Sequence, residues 1–229
     1  MTQAPFPILY EDNHLLVVAK PPGLPVMGVP KEHSSLLTMA KQYVKQKYDK
    51  PGNVYLGIVS RLDAPVTGLL IIARTSKAAA RLTEQFRSGS VNKLYWALVE
   101  GVPNPDAAAC VGWVRKDERH RKMHTTHENH PEAKEARLSY RTLAQLPQAT
   151  LLEVRLETGR KHQIRVQLSH RGHPILGDRK YGATTRFPEG IALHSRQIEL
   201  VHPVRKTPLR LVAPLPKCWN QFGIEDDTW

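Results

Sequence analysis

The 229 residues carry 33 Lys and Arg against 21 Asp and Glu, a formal net charge of +12, with 41% apolar and 24% charged residues. That apolar share excludes a disordered chain and suffices for one large domain or two small lobes sharing a core. The charge excess favours a polyanionic partner, nucleic acid first, over a merely basic enzyme.

No run of eighteen uncharged apolar residues is present to span a membrane, and Glu11 and Asp12 interrupt the start before a secretory signal can develop. Cys110 and Cys218 are too few for a disulfide scaffold and too far apart for a zinc knuckle. A reducing, cytoplasmic setting is expected; one disulfide stays open on arithmetic alone.

Residues 6–20, FPILYEDNHLLVVAK, read as two short strands around an EDNH turn. PPGLPV at 21–26 forces an extended or turning path. Ser34 or Ser35 is the expected cap of a helix reaching about Lys47, with Leu37, Ala40 and Val44 as its apolar line. VYLGIVSRLD (54–63) begins like a strand, and GLLIIAR (68–74) is dense enough for a buried one. Thr75 or Ser76 caps the next helix, whose Ala79, Leu82 and Phe86 share a face and which Gly89 stops.

VNKLYWALVEG (91–101) predicts a strand. The segment WVRKDERHRKMHTTHENHP has few apolar residues and predicts a weakly ordered loop or long hairpin rather than core. EARLSYRTLAQL and TLLEVRLET predict two strands turning near Pro147–Ala149. RKHQIRVQLSHRG (160–172) alternates like a strand. Ile164 and Leu168 four apart, late basic groups and Gly172 favour a helix. Two strands joined near His202–Pro203 follow, then a polar tail expected to lie peripherally from residue 215. The pattern predicts one α+β catalytic domain over 1–229, with its core at 8–214: a largely antiparallel mixed central sheet flanked by helices and loops.

Three segments carry candidate chemistry. In SRLDAPVTGLLIIAR (60–74), Arg61 and Asp63 are two apart and face one way on an extended backbone. Asp63 stands at the edge of an apolar run, where a shielded carboxylate serves as nucleophile or base; capping a turn is the plainer alternative. In TGRKHQIRVQLSHRGHPILGDRKYG (158–182), Arg160, Lys161, Arg165, Arg171, Arg179 and Lys180 face a single acid, Asp178. Such a segment suits phosphates, or is a solvated basic helix. On that helix Arg165 can turn inward to a carboxylate, where a rigid guanidinium outperforms lysine. In VNKLYWALV, alternation puts Lys93, Tyr95 and Ala97 on one face, and Tyr95 can stack on a base or simply pack. His120, His124, His127 and His130 cluster without the spacing of a metal site, and no Walker A or GxGxxG motif is present. No metal or cofactor is expected.

Together these segments resemble the RluA-type pseudouridine synthases, over roughly 8–214. The resemblance rests on ILYEDNHLLVVAKPPGLPV, SRLDAPVTGLLIIART, NKLYWALVEG, TGRKHQIRVQLSHRGHPILGDRKYG and ALHSRQIELVHP, in that order. It implies the pseudouridine synthase catalytic fold and an isomerase that converts uridine to pseudouridine in rRNA or tRNA by flipping the base. It also implies that Asp63 is the nucleophilic aspartate and that Tyr95 stacks on the uracil. The same resemblance implies that Arg165 would pair with and orient Asp63, that Arg61 would fill the space of the flipped nucleotide, and that Ile164 would line the uracil pocket. Arg160 and Lys161 are then candidate phosphate contacts. A phenol of ordinary pKa about 10 is a weak base, so stacking is the first role for Tyr95.

Ser60 departs from the family's usual His, Val66-Thr67 from Thr-Ser, and Ala19 from Asn. No leading segment is long enough for an S4-type RNA-binding domain, so a monomeric catalytic domain is expected to read its RNA unaided. Two other readings stay open. One is a binding module without turnover. The other is a glycosidic hydrolase, which would need a second carboxylate; Asp178 is the nearest candidate but is read as shaping the GDRKYG loop.

Overall fold

The computed structural model describes residues 4–30 and 32–226. Among them the chain forms an α+β fold with eleven strands, three α-helices and two short 3-10 turns, and its sheet is mostly antiparallel. Two compact units result: residues 4–91 with 195–214, and residues 92–194 with 215–226.

In the first unit, β1 (Ile8–Glu11) and β2 (Leu15–Lys20) form the hairpin read from EDNH. Asp12 shapes its turn by accepting the amides of His14 (2.7 Å) and Leu15 (2.8 Å). A helix α1 (Leu36–Lys47) starts at Ser35, whose hydroxyl accepts the Thr38 amide while Thr38 returns a bond to the Ser35 amide. The strand-like start of 54–63 becomes only the short β3 (Gly57–Ile58), after which the chain turns away to form the Asp63 loop. By contrast β4 (Thr67–Ala73) is buried at every residue, as its apolar run predicts.

Thr75 caps α2 (Ser76–Arg87), which turns Ala78 and Leu82 inward. These pack with Leu15 and Val17 of β2, Leu69 and Ile71 of β4, and Ile198, Leu200 and Leu211 of the strands β10 (Leu193–Val201) and β11 (Pro208–Val212). Strand order in this unit is β1-β2-β4-β10, with β3 on β4 and β11 on β10. Strand β10 crosses the division between the units, from His194 to Ser195.

The second unit is an antiparallel array of β5 (Asn92–Val99), β6 (Ala107–Asp117), β7 (Lys122–Thr126), β8 (Lys134–Leu146) and β9 (Ala149–Leu156), in the order β5-β9-β8-β6-β7. The histidine-rich segment is indeed a long hairpin, β6–β7, but it also supplies core. Val114 and Met123 pack with Ala136, Val166 and Tyr181. Val114 and Met123 share one face of the pair, Met123 lying opposite Lys116 two residues along from Val114, which a composition reading underweights.

The helix α3 (Gln163–His170) is shorter than expected and buried from Gln163 to Leu168. Arg160 and Lys161 lie in the loop before it. There Gln163 turns back to accept the Arg160 amide and the Thr158 hydroxyl, so this loop, not a basic helix, presents them. The stretch 215–224 is not peripheral: Trp219 is fully buried edge-on to Phe187 and His194, and Phe222 stacks on Phe187. Trp219 and Phe222, just ahead of the polar end GIEDDTW, are aromatics that need cover. Both cysteines are free, so the disulfide that arithmetic allowed does not form.

Gly68 has φ +107°, and a Cβ there would come within 2.7 Å of the Ser195 amide nitrogen. Gly68→Ala is expected to cost about 2–4 kcal/mol from backbone strain and overlap, whereas Gly112→Ala, with open space around it, stays within about 1 kcal/mol. Urea unfolding of both variants checks this.

Candidate active site

In the first unit the site is built on the turn after β3. Leu62 is buried and anchors it, Arg61 is exposed, and Asp63 is half-buried between water and the core. The Val66 amide donates to the Asp63 carbonyl at 3.0 Å and closes the turn ahead of β4. What holds this turn is Lys20, a residue to which sequence reasoning gives no role. Its side chain is 1% exposed, and Nζ donates to the carbonyls of Pro21 (2.8 Å), Leu24 (2.9 Å) and Ala64 (2.8 Å). Burial pulls the ammonium down to about 8, and the attraction of Asp63 opposes that fall. A lysine closing an apolar run, before two prolines that cannot donate back, was the signal available in the sequence.

In the second unit β5 carries Tyr95, buried to 9% exposure and paired across the sheet with Val154. Burial also lowers the pKa of Lys93, two residues before it. The helix α3 carries Ile164 and Arg165, both buried. The Arg165 guanidinium makes a forked pair with Asp178: Nε to Oδ2 at 2.6 Å and Nη2 to Oδ1 at 2.8 Å. Its carbon lies 4.9 Å from the centre of the Tyr181 ring. Asp178 does not bond to its own loop as a cap; its carboxylate goes to Arg165. Being the single acid among six cations marked it, but the choice of cation needed the fold.

The loop before α3 holds Arg160 and Lys161 side by side on the surface. Arg160 Nε donates to the Glu135 carbonyl at 2.7 Å, which ties its stem to β8, and Lys161 is exposed beside it. His162 follows in the left-handed region at φ +51°, its Nδ1 2.8 Å from the Tyr181 hydroxyl. Of the clustered histidines, His120 and His124 approach Asp117 at 2.8 and 3.4 Å. The His120 amide and ring lower that carboxyl to about 2.

The Lys20 ammonium has an alkaline signature. Its folded pKa of about 8 lies below the unfolded 10.5. Between these values the unfolded chain therefore holds the proton longer, and stability rises with pH. Wild type is expected to gain relative to Lys20→Met as pH goes from 8 to 10.5, by up to about 3 kcal/mol. Denaturant titrations of both proteins across that range measure it; a flat difference would refute the buried-ammonium account.

Comparison with known proteins adds three findings. The profile of a family described as RNA pseudouridylate synthase matches residues 14–170. The ribosomal large subunit pseudouridine synthase D of Xylella fastidiosa is 36% identical over 244 residues, covering 98% of this chain and 71% of that protein. Its namesake in Yersinia pestis is 36% identical over 233 residues, covering 94% and 69%. Among solved structures, human RNA pseudouridylate synthase domain containing 4 superimposes with a TM-score of 0.79 at 28% identity, over 96% of this chain and 94% of that one.

Proposed function

The chain belongs to the RNA pseudouridylate synthase family, and we propose that it isomerises uridines of large-subunit ribosomal RNA by an aspartate-dependent rearrangement of the glycosidic bond. That it is an RNA pseudouridine synthase follows from the family. The choice of rRNA is supported by what its 36%-identical relatives are named for. The observation that carries the mechanistic reading is Asp63, the carboxylate of the SRLD turn, held at the edge of the buried β4 by the Lys20 ammonium.

The reaction breaks the N1–C1′ bond, turns the uracil and joins C5 to C1′. C5 then gives up its proton and N1 gains one, so product and substrate have the same composition. The target nucleotide leaves its stack to expose C1′ and C6. Asp63 engages it as nucleophile, or as base at the sugar. Tyr95 offers a ring face on which the freed uracil stacks during its rotation, worth about 1–3 kcal/mol. Ile164 gives that base an apolar neighbour. Arg165 supplies fixed positive charge to the carboxylate chemistry, and Arg61, exposed on the Asp63 turn, takes the space of the extruded nucleotide. Arg160 and Lys161 hold phosphates. The enzyme works as a monomer in the cytoplasm, with RNA as the partner its charge selects.

Tritium release from RNA labelled at uridine C5, with rRNA and tRNA tested separately, decides the reading. Release from rRNA is expected, abolished in Asp63→Ala with RNA affinity within a few-fold of wild type. Turnover surviving in that variant would sink the role of Asp63, release from tRNA alone would move the substrate class, and free uracil would mean hydrolysis. Lys161→Ala is expected to weaken binding to all RNAs alike and to reduce the salt slope by about 1; filter binding at several salt concentrations reads both.

A further inference from the structure

We propose that Asp178 is a positioning residue for the reaction. Together with the Tyr181 ring it fixes the guanidinium of Arg165, so the 174–181 segment is the mount of that arginine rather than a surface loop. The proposal rests on the assignment of Arg165 to the chemistry made above.

Asp178 immediately precedes the 3-10 turn Arg179–Tyr181, where an aspartate ordinarily caps; here its side chain makes no cap bond. Both oxygens go instead to Nε and Nη2 of Arg165, with the two side chains 6% and 2% exposed. A buried ion pair is a poor device for stability, since apolar residues of similar volume hold a core as well. It is a good device for geometry, because a fork of two parallel bonds fixes both the position and the plane of the guanidinium.

The backbone of Asp178 is itself held. Its amide donates to the Ile175 carbonyl, and its carbonyl accepts from Tyr181 and Ala183. The preceding residues are stitched to the end of β5: the Leu176 amide donates to Leu98, and the Glu100 amide to Pro174. Gly177, at φ +81°, has no room for a side chain; a Cβ would lie 2.9 Å from the Gly190 carbonyl oxygen and from Phe187 Cβ. So the carboxylate is aimed by packing on both sides of it.

Tyr181 closes the other face of the guanidinium, 4.9 Å from its carbon. Its hydroxyl accepts the Met123 amide at 2.9 Å and shares a hydrogen bond with His162 Nδ1 at 2.8 Å. Its carbonyl accepts from Ser169 on α3. The ring therefore cannot tilt away without breaking bonds to β7 and to the loop before α3.

If Asp178 acts through Arg165, losing it matters only while the arginine is present. Asp178→Asn, which keeps the shape but removes the charge, is expected to lower kcat for tritium release about 10²-fold, the scale of a 1 Å misplacement, with KM little changed. In an Arg165→Met background the same substitution should lower kcat no further, while raising the melting temperature by relieving an unpaired buried carboxylate. Wild-type kcat in Asp178→Asn beside an impaired Arg165→Met would overturn the proposal. So would an equal loss from Asp178→Asn in both backgrounds, the mark of a merely structural aspartate. Wild-type kcat in Arg165→Met would instead remove Arg165 from the reaction, and the proposal with it. Should Asp178→Asn not fold, Asp178→Glu, which keeps the charge but moves the fork by one methylene, enters the same cycle with the same readings.

Discussion

An ammonium taken out of water loses several kcal/mol, by order of magnitude, unless acceptors close around it. Lys20 is in that position, and its three carbonyl partners come from residues 21, 24 and 64. Two of them belong to the proline turn that leaves β2. The third belongs to the residue after Asp63, more than forty positions later in the chain. One buried charge thus settles where the Asp63 turn lies. The register of β2 on β4, with Lys20 opposite Gly68, brings the ammonium to the place where the turn enters the sheet. The absence of a side chain at Gly68 lets that strand approach the Ser195 backbone closely enough to complete the first unit's sheet.

The same rule governs α3 with a different cation. This helix is buried nearly all round, so each polar residue on it needs a partner inside. Gln167 donates to the carbonyls of Cys110 and Ala136, and Gln163 braces the loop before the helix. Arg165 takes a carboxylate, and its planar fork makes that pair directional where the Lys20 ammonium, a point charge, needs only to be surrounded. Removing Asp178 alone would leave a buried guanidinium short of its charge partner, a loss in the range of about 3–5 kcal/mol. The placement of both cations is therefore bound up with the folding of the units that hold them.

The surface follows a looser physics. Arg160 and Lys161 sit exposed in a loop, the first tied by its stem to the Glu135 carbonyl. The β6–β7 hairpin ends in a run of cations and histidines around Asp117. Exposed charges of this kind add to the net +12 and attract a polyanion without demanding one geometry.

Much of the local architecture was legible in the residues. The EDNH turn, the caps of α1 and α2 to within one residue, the buried run of β4 and the β8–β9 turn each depend on neighbours in the chain, so the sequence by itself determined them. The ordered motifs likewise determined the family, because several matches of that length and order do not arise by chance. Tertiary structure alone decided the rest. That Val114 and Met123 are core within a basic hairpin, and that Trp219 and Phe222 draw the tail inward onto Phe187, depends on faces that exist only once strands pair. That Lys20 holds the Asp63 turn, and that Asp178 serves Arg165 rather than its own loop, depends on a buried charge finding its nearest acceptor in space. Distance along the chain carries no information about that choice, because the cost of leaving the charge unpaired is set by the dielectric of the folded interior.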